Sequence, residues 1–270
     1  MHDNKKYKRE LLDLMHRVDM VFSRERIDYC AVYGTCLGAV RENGIIPWDD
    51  DIDIAVRRSD FIKALEVLTN SSEQIYAGDR TSIPGCPSRC GRIFNRVGSG
   101  CSIERKRAYI DLHVIDYAPK TKVRFWWSVL WYVGVSRIVS SRNGVISNGH
   151  RGFYAVADCV AFPFRILPTR ILSKLADWIY IGKKRSPFIK ITFDGNRKRY
   201  PATSFSSFKR VPFNEFTIPV PLGYDEYLSV CYGDWRIPPP PEGRFSHAFD
   251  RNCREWTVPM PDETVRSLRD

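Results

Sequence analysis

Apolar residues near the N-terminus recur with a helical period. Leu11, Leu14, Met15, Val18 and Phe22 stand among charged neighbours at three- and four-residue spacing, which predicts an amphipathic helix. "DYCAVY" (28–33) then reads as a short buried strand entering Gly34, and "LGAVREN" (37–43) as one or two helical turns. "DIDIAV" (51–56) is a strand, and Ser59 is placed to cap a helix running to about Thr69. Two further strands follow, "GRIFNRV" (91–97) and "YIDLHVIDYA" (109–118). The second alternates, with Ile110, Leu112 and Val114 on one face and Asp111 and His113 on the other.

From Thr121 to Lys184 the pattern is mostly helical, broken by Gly144, Gly149, Pro163 and Pro168. Within it, "VRFWWSVLWYVGVSRIV" (123–139) is apolar nearly all round and shorter than a membrane span. It reads as a buried core helix, or as a helix lying in a membrane interface, where Trp and flanking basic residues sit at headgroup level. "KKRSPFIKITFDGNRKRYP" (183–201) reads as an exposed basic loop, "RVPFNEFTIPVP" (210–221) as a tight hairpin with prolines at its edges, and "GYDEYLSVCYGD" (223–234) as a short helix before an irregular end. Strands come first and helices fill the middle, so the fold class is α+β rather than a regular βαβ repeat.

Charge adds a partner class. The 270 residues carry a net charge of +11 with a pI near 9.3, which fits an anionic partner: nucleic acid, a phosphorylated small molecule, an acidic glycan or an anionic membrane. No RNA-module signature accompanies it, so nucleic acid is not expected. The charged N-terminus lacks the apolar core of a secretory signal, and the eight scattered cysteines read as reduced thiols of a cytoplasmic protein, with peripheral contact at the inner membrane face open to it. Cys86 and Cys90, with Cys101, raise a zinc site, but the spacing is not that of a standard finger and no fourth ligand is evident.

The candidate chemistry lies in one stretch. Asp49, Asp50, Asp51 and Asp53 fall within five positions, in a chain that is otherwise basic. Strand alternation puts Asp51 and Asp53 on one face, their Cα atoms roughly 7 Å apart. Ile52 and Ile54 turn the other way, and a plain acidic turn would not continue as Asp-Ile-Asp-Ile into a strand. Two such charges at about 4 Å repel by about 4 kcal/mol at an effective dielectric of 20, which a cation between them relieves. All-oxygen ligands suit Mg²⁺ or Mn²⁺. Asp111 is the third candidate, because an Asp between Ile110 and Leu112 needs a reason to be there. Gly34-Thr35, after a strand and opening a helical turn, offers backbone N–H groups to a phosphate. Strand, Gly-Thr, helix and Asp-x-Asp on the next strand form the general pattern of nucleotidyltransferase folds.

The stretch "GTCLGAVRENGIIPWDDDIDI" (34–54) resembles the motif of the LicD family, which includes bacterial phosphocholine transferases and the fukutin-related proteins. "YIDLHVIDYAP" (109–119) is similar to the family's Asp-bearing strand, with Asp116 as its second acid. Residues 211–247 look like its closing segment, with Tyr232-Gly233-Asp234, prolines, Arg244 and His247; members often show His-His where this chain has His247-Ala248. The resemblance implies one transferase domain over 1–270, with a nucleotidyltransferase-like mixed sheet flanked by helices (core about 28–119), a helical region about 120–200 and a closing segment about 211–250.

The implied activity moves a phospho-alcohol from a CDP-linked donor to a glycan hydroxyl, releasing CMP. Asp51, Asp53 and Asp111 would be catalytic and hold Mg²⁺ or Mn²⁺. Gly34, Thr35, Arg41, Trp48 and Asp49 would bind the donor, with Asp50, His113, Asp116, Tyr232, Asp234, Arg244 and His247 as further candidates. Were the alcohol choline, Trp48, Tyr232 and Trp235 could form a cation–π cage. Two other expectations stay open: a nucleotidyltransferase that transfers NMP through the same metal site, and a non-catalytic binding protein on this fold, which the intact Asp51, Asp53 and Asp111 argue against.

Overall fold

In the computed structural model the N-terminal stripe becomes α1 (His2–Glu25), with Leu11, Leu14, Met15, Val18 and Phe22 fully buried along one side. Residues 2–79, 82, 90–96, 108–142, 152–181, 185–192 and 198–240 are described. Arg244, His247, Cys86, Cys101, Lys183, Lys184 and Arg197 lie outside them. The chain divides into two compact units, Met1–Val114 with Ser204–Asp270, and Ile115–Thr203.

The first unit is built on a mixed sheet. Its strands are β1 (Tyr29–Ala31), β2 (Ile52–Arg57), β3 (Ile75–Gly78), β4 (Gly91–Asn95) and β5 (Tyr109–Tyr117), in the order β1-β2-β5-β4-β3. β1 and β2 pair antiparallel through Tyr29↔Val56, Cys30↔Ala55 and Ala31↔Ile54, and β4 and β5 through Gly91↔Leu112 and Arg92↔Asp111. β5 lies between β2 and β4, so Ile110 to Asp116 are buried on both of its faces, the polar residues included. Between β1 and β2 runs α2 (Tyr33–Arg41), which begins four residues earlier than the sequence pattern placed it. Gly34 and Thr35 therefore occupy its first turn.

α3 (Phe61–Thr69) packs on the sheet at Gly91, where a Cβ would meet Leu65 at 3.0 Å and Phe61 at 3.2 Å. Its N-cap is Asp60 without a side-chain cap bond; Ser59, expected there, lies one position early in the turn. β3 carries no alternation strong enough to stand out in sequence, and its partner β4 defines it.

The predicted hairpin forms from β8 (Phe208–Phe213) and β9 (Phe216–Pro221), followed by α7 (Tyr224–Tyr232). Its two-residue turn puts Asn214 at φ 52°, a left-handed conformation that Asn accepts better than most residues. Asn214 also latches the loop that carries the acids. Its N–H donates to the Asn43 carbonyl at 2.7 Å, and its Oδ1 accepts from the Ile45 N–H at 3.0 Å.

The second unit is mainly helical. α4 (Lys122–Arg142) packs against α5 (Phe153–Ala161) and α6 (Thr169–Tyr180), with a short 3-10 helix at Phe162–Ile166. α4 is neither wholly buried nor wholly exposed. Phe125, Val129 and Tyr132 enter the core, whereas Val123, Trp126 and Trp127 face solvent. Of the basic stretch 183–201, residues 183, 184 and 193–197 lie outside the described residues, Arg185 and Lys198 are exposed as expected, and the middle is not a loop. It contains β6 (Phe188–Thr192), paired with β7 (Tyr200–Pro201), and β6 buries Lys190, whose ammonium lies over the Tyr180 ring and donates to the Tyr180 carbonyl. Alternating Ile189, Lys190 and Ile191 carried the strand signal that the surrounding charge obscured.

Asn214→Ala should lower unfolding stability by about 2 kcal/mol, from one lost side-chain hydrogen bond and an unfavourable left-handed Ala. Asn214→Gly, which keeps the backbone at ease, should lose about half of that. Urea unfolding midpoints of the two variants check the order.

Candidate functional site

The site begins with a corner. β1 ends at Ala31, and two residues later the chain is in α2. The turn is made by Tyr33 at φ 48°, a strained conformation for an aromatic residue. Its backbone N–H donates to the Tyr227 hydroxyl at 2.8 Å. Strand β2 is fixed to this corner at one residue. Val32 N–H donates to the Asp53 carbonyl at 3.0 Å, and Asp53 N–H donates to the buried Thr35 Oγ1 at 2.8 Å. The Thr35 side chain thus orients the strand, and its backbone N–H, like that of Gly34, lies in a first helical turn with no intrahelical acceptor to reach. The Asp53 carboxylate meets His113 on β5, Oδ1 to Nε2 at 2.8 Å. An ionised carboxylate only accepts, so Nε2–H donates. The Tyr33 ring stands edge-on to His113 with centroids 5.3 Å apart.

Beside Asp53 the other acids crowd together. Asp49, Asp50 and Asp51 each bring a carboxylate oxygen to within 4.8 Å of the others. Asp50 is buried, and its N–H donates to Asp49 Oδ1 at 3.2 Å. Gly34 leaves room for this carboxylate, because a Cβ there would displace Asp49 Oδ2. Burial first, then the charges of Asp53 and Asp49, push the Asp51 carboxyl up to about 10. Burial also raises Asp49, although a hydrogen bond with Asp51 works the other way. Without a cation, Asp51 therefore holds a proton well above the usual carboxylate range. A dense, all-oxygen, under-compensated donor set is what a hard divalent cation fits.

Asp111 has a different environment. Its Oδ1 accepts from Arg92 Nε at 3.1 Å and from the Cys90 thiol at 3.4 Å, and the Arg92 guanidinium lies over the Tyr109 ring at 4.5 Å. Burial raises the Asp111 carboxyl and Arg92 opposes that rise. From α1, Lys8 donates to the carbonyls of Ile46 at 3.1 Å and Pro47 at 2.8 Å, just ahead of the acids. Burial lowers the Lys8 ammonium, while Asp49 and Asp50 pull it back up. The Tyr7 phenol is raised by burial and by Tyr109, Asp50, Asp51 and Asp111, which puts it in electrostatic reach of the acids.

The structure thus brings Gly34, Thr35, Asp49, Asp50, Asp51, Asp53 and His113 together, with Asp111 on the adjoining strand. Trp48 is half-buried next to Asp49. Tyr232 closes α7 half-exposed, its phenol raised by burial, then by Cys231, Asp53 and Asp49. Arg41, the last residue of α2, lies about 10 Å along the helix from Gly34. It bonds Glu42 Oε1 at 2.8 Å and the Trp235 carbonyl at 3.0 Å, and its buried Nη2 has no hydrogen-bond partner among the described residues. Trp235 is buried and donates to Asp225 at 3.1 Å, whereas Asp234 is exposed beyond α7. Asp116 is buried in the second unit. Sequence reasoning missed Tyr7, Lys8, Tyr33, Arg92 and Tyr109. Only Arg92 left a usable signal, as a charged residue inside the strand "GRIFN".

Comparison with known proteins bears on the same residues. The model of the LicD/FKTN/FKRP family, nucleotidyltransferase domain, matches residues 26–129. That range holds every acid of the cluster together with Asp111 and His113. The lipopolysaccharide cholinephosphotransferase LicD of Haemophilus influenzae is 23% identical over 258 residues, 88% of this chain and 91% of that protein. Two uncharacterized rickettsial proteins match shorter stretches: one of Rickettsia typhi at 36% over 85 residues (31% of this chain, 28% of that protein), and one of Rickettsia prowazekii at 41% over 66 residues (24% and 25%).

Two expectations follow from the crowding. An unfolded Asp titrates near about 3.9, so between there and about 10 the folded chain keeps a proton on Asp51 that the unfolded chain releases. In chelator-treated protein this contribution to stability is fully present below the lower value and is lost as pH rises through the higher one. Asp51→Asn should flatten that pH dependence and melt higher than wild type at mildly alkaline pH, as read by thermal scans. Gly34→Ala should displace Asp49 and weaken stabilisation by Mg²⁺ at least about tenfold in apparent affinity, as read by melting against Mg²⁺ concentration.

Proposed function

We propose that the chain is a phosphotransferase of the LicD family, whose nucleotidyltransferase-domain model matches residues 26–129. In this reading it moves a phospho-alcohol from a CDP-linked donor to a hydroxyl of a cell-surface glycan, and CMP leaves. Phosphocholine is the first choice of group, by similarity to the Haemophilus cholinephosphotransferase; ribitol phosphate is the next. The observation that carries the reading is the convergence of Asp49, Asp50 and Asp51 oxygens within 4.8 Å, against Gly34 at the start of α2.

The reaction breaks the bond between the CMP oxygen and the phosphorus that bears the alcohol, and forms a bond from the acceptor oxygen to that phosphorus. Such transfer needs positioning and charge neutralisation more than covalent chemistry. A Mg²⁺ or Mn²⁺ held by Asp51 and Asp53 with Asp49 or Asp50 would supply charge neutralisation for the diphosphate and the departing CMP. The first-turn N–H groups of Gly34 and Thr35 bind donor phosphate oxygens. His113 holds Asp53 in place from behind, and Lys8 fixes the backbone ahead of Asp49. Asp111 is assigned the proton of the attacking hydroxyl: burial raises its carboxyl above the ordinary range, and Arg92 opposes that rise. Trp48 and Tyr232 are assigned to the alcohol, where a trimethylammonium would gain cation–π attraction. Arg41 is assigned to the donor through Nη2. We place the reaction in the cytoplasm, the compartment expected of a CDP-linked donor. Among the described residues no helix is long and apolar enough to cross a membrane.

Thermal unfolding tests this without the acceptor. Wild type and Asp53→Asn are heated with Mg²⁺ and CDP-choline, CDP-ribitol, CDP-glycerol, CMP, ATP or UDP-glucose. A ligand at about 100 times its Kd stabilises by roughly 2.7 kcal/mol. CDP compounds should stabilise wild type only, and only with Mg²⁺, with the best ligand identifying the alcohol. Preference for ATP would favour nucleotidyl transfer instead, and silence across the panel would remove the catalytic reading.

A further inference from the structure

The chain's positive charge is not spread evenly. Residues 115–203, the second unit, hold 16 Lys and Arg against 4 Asp, a net of +12, so the rest of the chain carries −1 of the total +11. Of those four acids, Asp116 is buried and Asp158 is tied to Arg137 at 2.7 and 3.0 Å. Lys120, Lys122, Arg124, Arg165 and Lys174 are all exposed.

The same unit exposes large apolar side chains. On α4, Val123, Trp126 and Trp127 form one stripe at helical spacing, opposite the buried Phe125 and Val129; the two Trp are 42% and 58% exposed. α6 runs back along α4: Leu172 packs with Val135, Ile138 and Val139, and Tyr180 stacks on Tyr132 with centroids 4.0 Å apart. Trp178, two residues before Tyr180 on α6, is 63% exposed. The 3-10 helix adds Phe162 and Ile166, the latter 89% exposed. Single exposed apolar residues need no explanation, but a concentration of this kind beside basic residues does.

We propose that the exposed face at the start of α4 docks on an anionic lipid bilayer, with Trp126 and Trp127 entering at headgroup level and Lys120, Lys122 and Arg124 lying against acidic headgroups. Trp favours the interface because its ring is apolar and its N–H is polar. Basic residues are drawn to the negative surface potential. No span is needed, because a peripheral helix gains from apolar area and charge together. A nucleic acid would use the charge and the Trp faces, but gains nothing from exposed Val123. A second copy would set +12 against +12. The inference is independent of the transfer reaction, since neither donor nor acceptor takes part in it.

The test is flotation of the full chain with phosphatidylcholine vesicles, with and without phosphatidylglycerol, across a salt series. Flotation should require phosphatidylglycerol and weaken as salt rises. Joint substitution Trp126→Ala and Trp127→Ala should weaken binding by about tenfold or more, with the CDP-ligand melting shifts unchanged. Joint Lys120→Glu, Lys122→Glu and Arg124→Glu, which touches only exposed side chains, should weaken it comparably and reduce the salt dependence. The proposal is overturned by absence of flotation at low salt, or by undiminished flotation of both variants. It is equally overturned if RNA displaces the chain from vesicles at matched charge, or if sedimentation shows a lipid-free dimer that the Trp substitutions dissolve.

Discussion

Carboxylates brought together in a partly buried site repel one another, and the first unit is arranged around that repulsion. Asp49, Asp50 and Asp51 converge, and Asp53 stands beside them. Two such charges at about 4 Å cost about 4 kcal/mol at an effective dielectric of 20, more than the roughly 1 kcal/mol of a typical hydrogen bond. The cluster is therefore held by backbone geometry. Val32 and Thr35 grip the Asp53 peptide from both ends, Asn214 latches residues 43–45, and Lys8 grips the carbonyls of Ile46 and Pro47. Each anchor lies on a different element, so the acids cannot spread apart without loosening α1, α2 or the hairpin. The buried stripe of α1 and the double-sided burial of β5 supply the stability that offsets the repulsion.

The two halves of the site solve the charge problem differently. Asp111 receives an internal counter-ion, Arg92, directly across the ladder on β4. Among the described residues Asp49 and Asp51 have no ion pair, only the electrostatic reach of Lys8 to Asp49 and a hydrogen bond with each other. Burial is thus compensated on β5 and left uncompensated ahead of β2. The second unit carries nearly all the net positive charge and a set of exposed aromatics.

Much of this was legible in the sequence where chemistry and periodicity coincide. Asp-Ile-Asp-Ile announced both the strand and its acidic face, Gly34-Thr35 announced the helix start, and the N-terminal stripe announced α1. Long-range partners were not legible. Tyr7 and Lys8 reach the acids because α1 lies where tertiary packing puts it, and no local pattern encodes that. Lys190 misled for the opposite reason: a basic residue in a basic stretch reads as solvated, yet the Tyr180 ring and carbonyl make its burial tolerable. Ser59 failed as a cap because the turn before α3 is one residue longer than the capping pattern assumed.

Tyr33 carries a consequence for how this fold can change. Its left-handed backbone costs on the order of 1 kcal/mol, which glycine would avoid. A search for thermal stability alone would accept glycine at 33 and lose the ring against His113 that steadies Asp53. Position 33 therefore separates two kinds of selection. A lineage kept only for its fold would drift away from an aromatic residue there, and a lineage kept for its chemistry would retain one despite the strain.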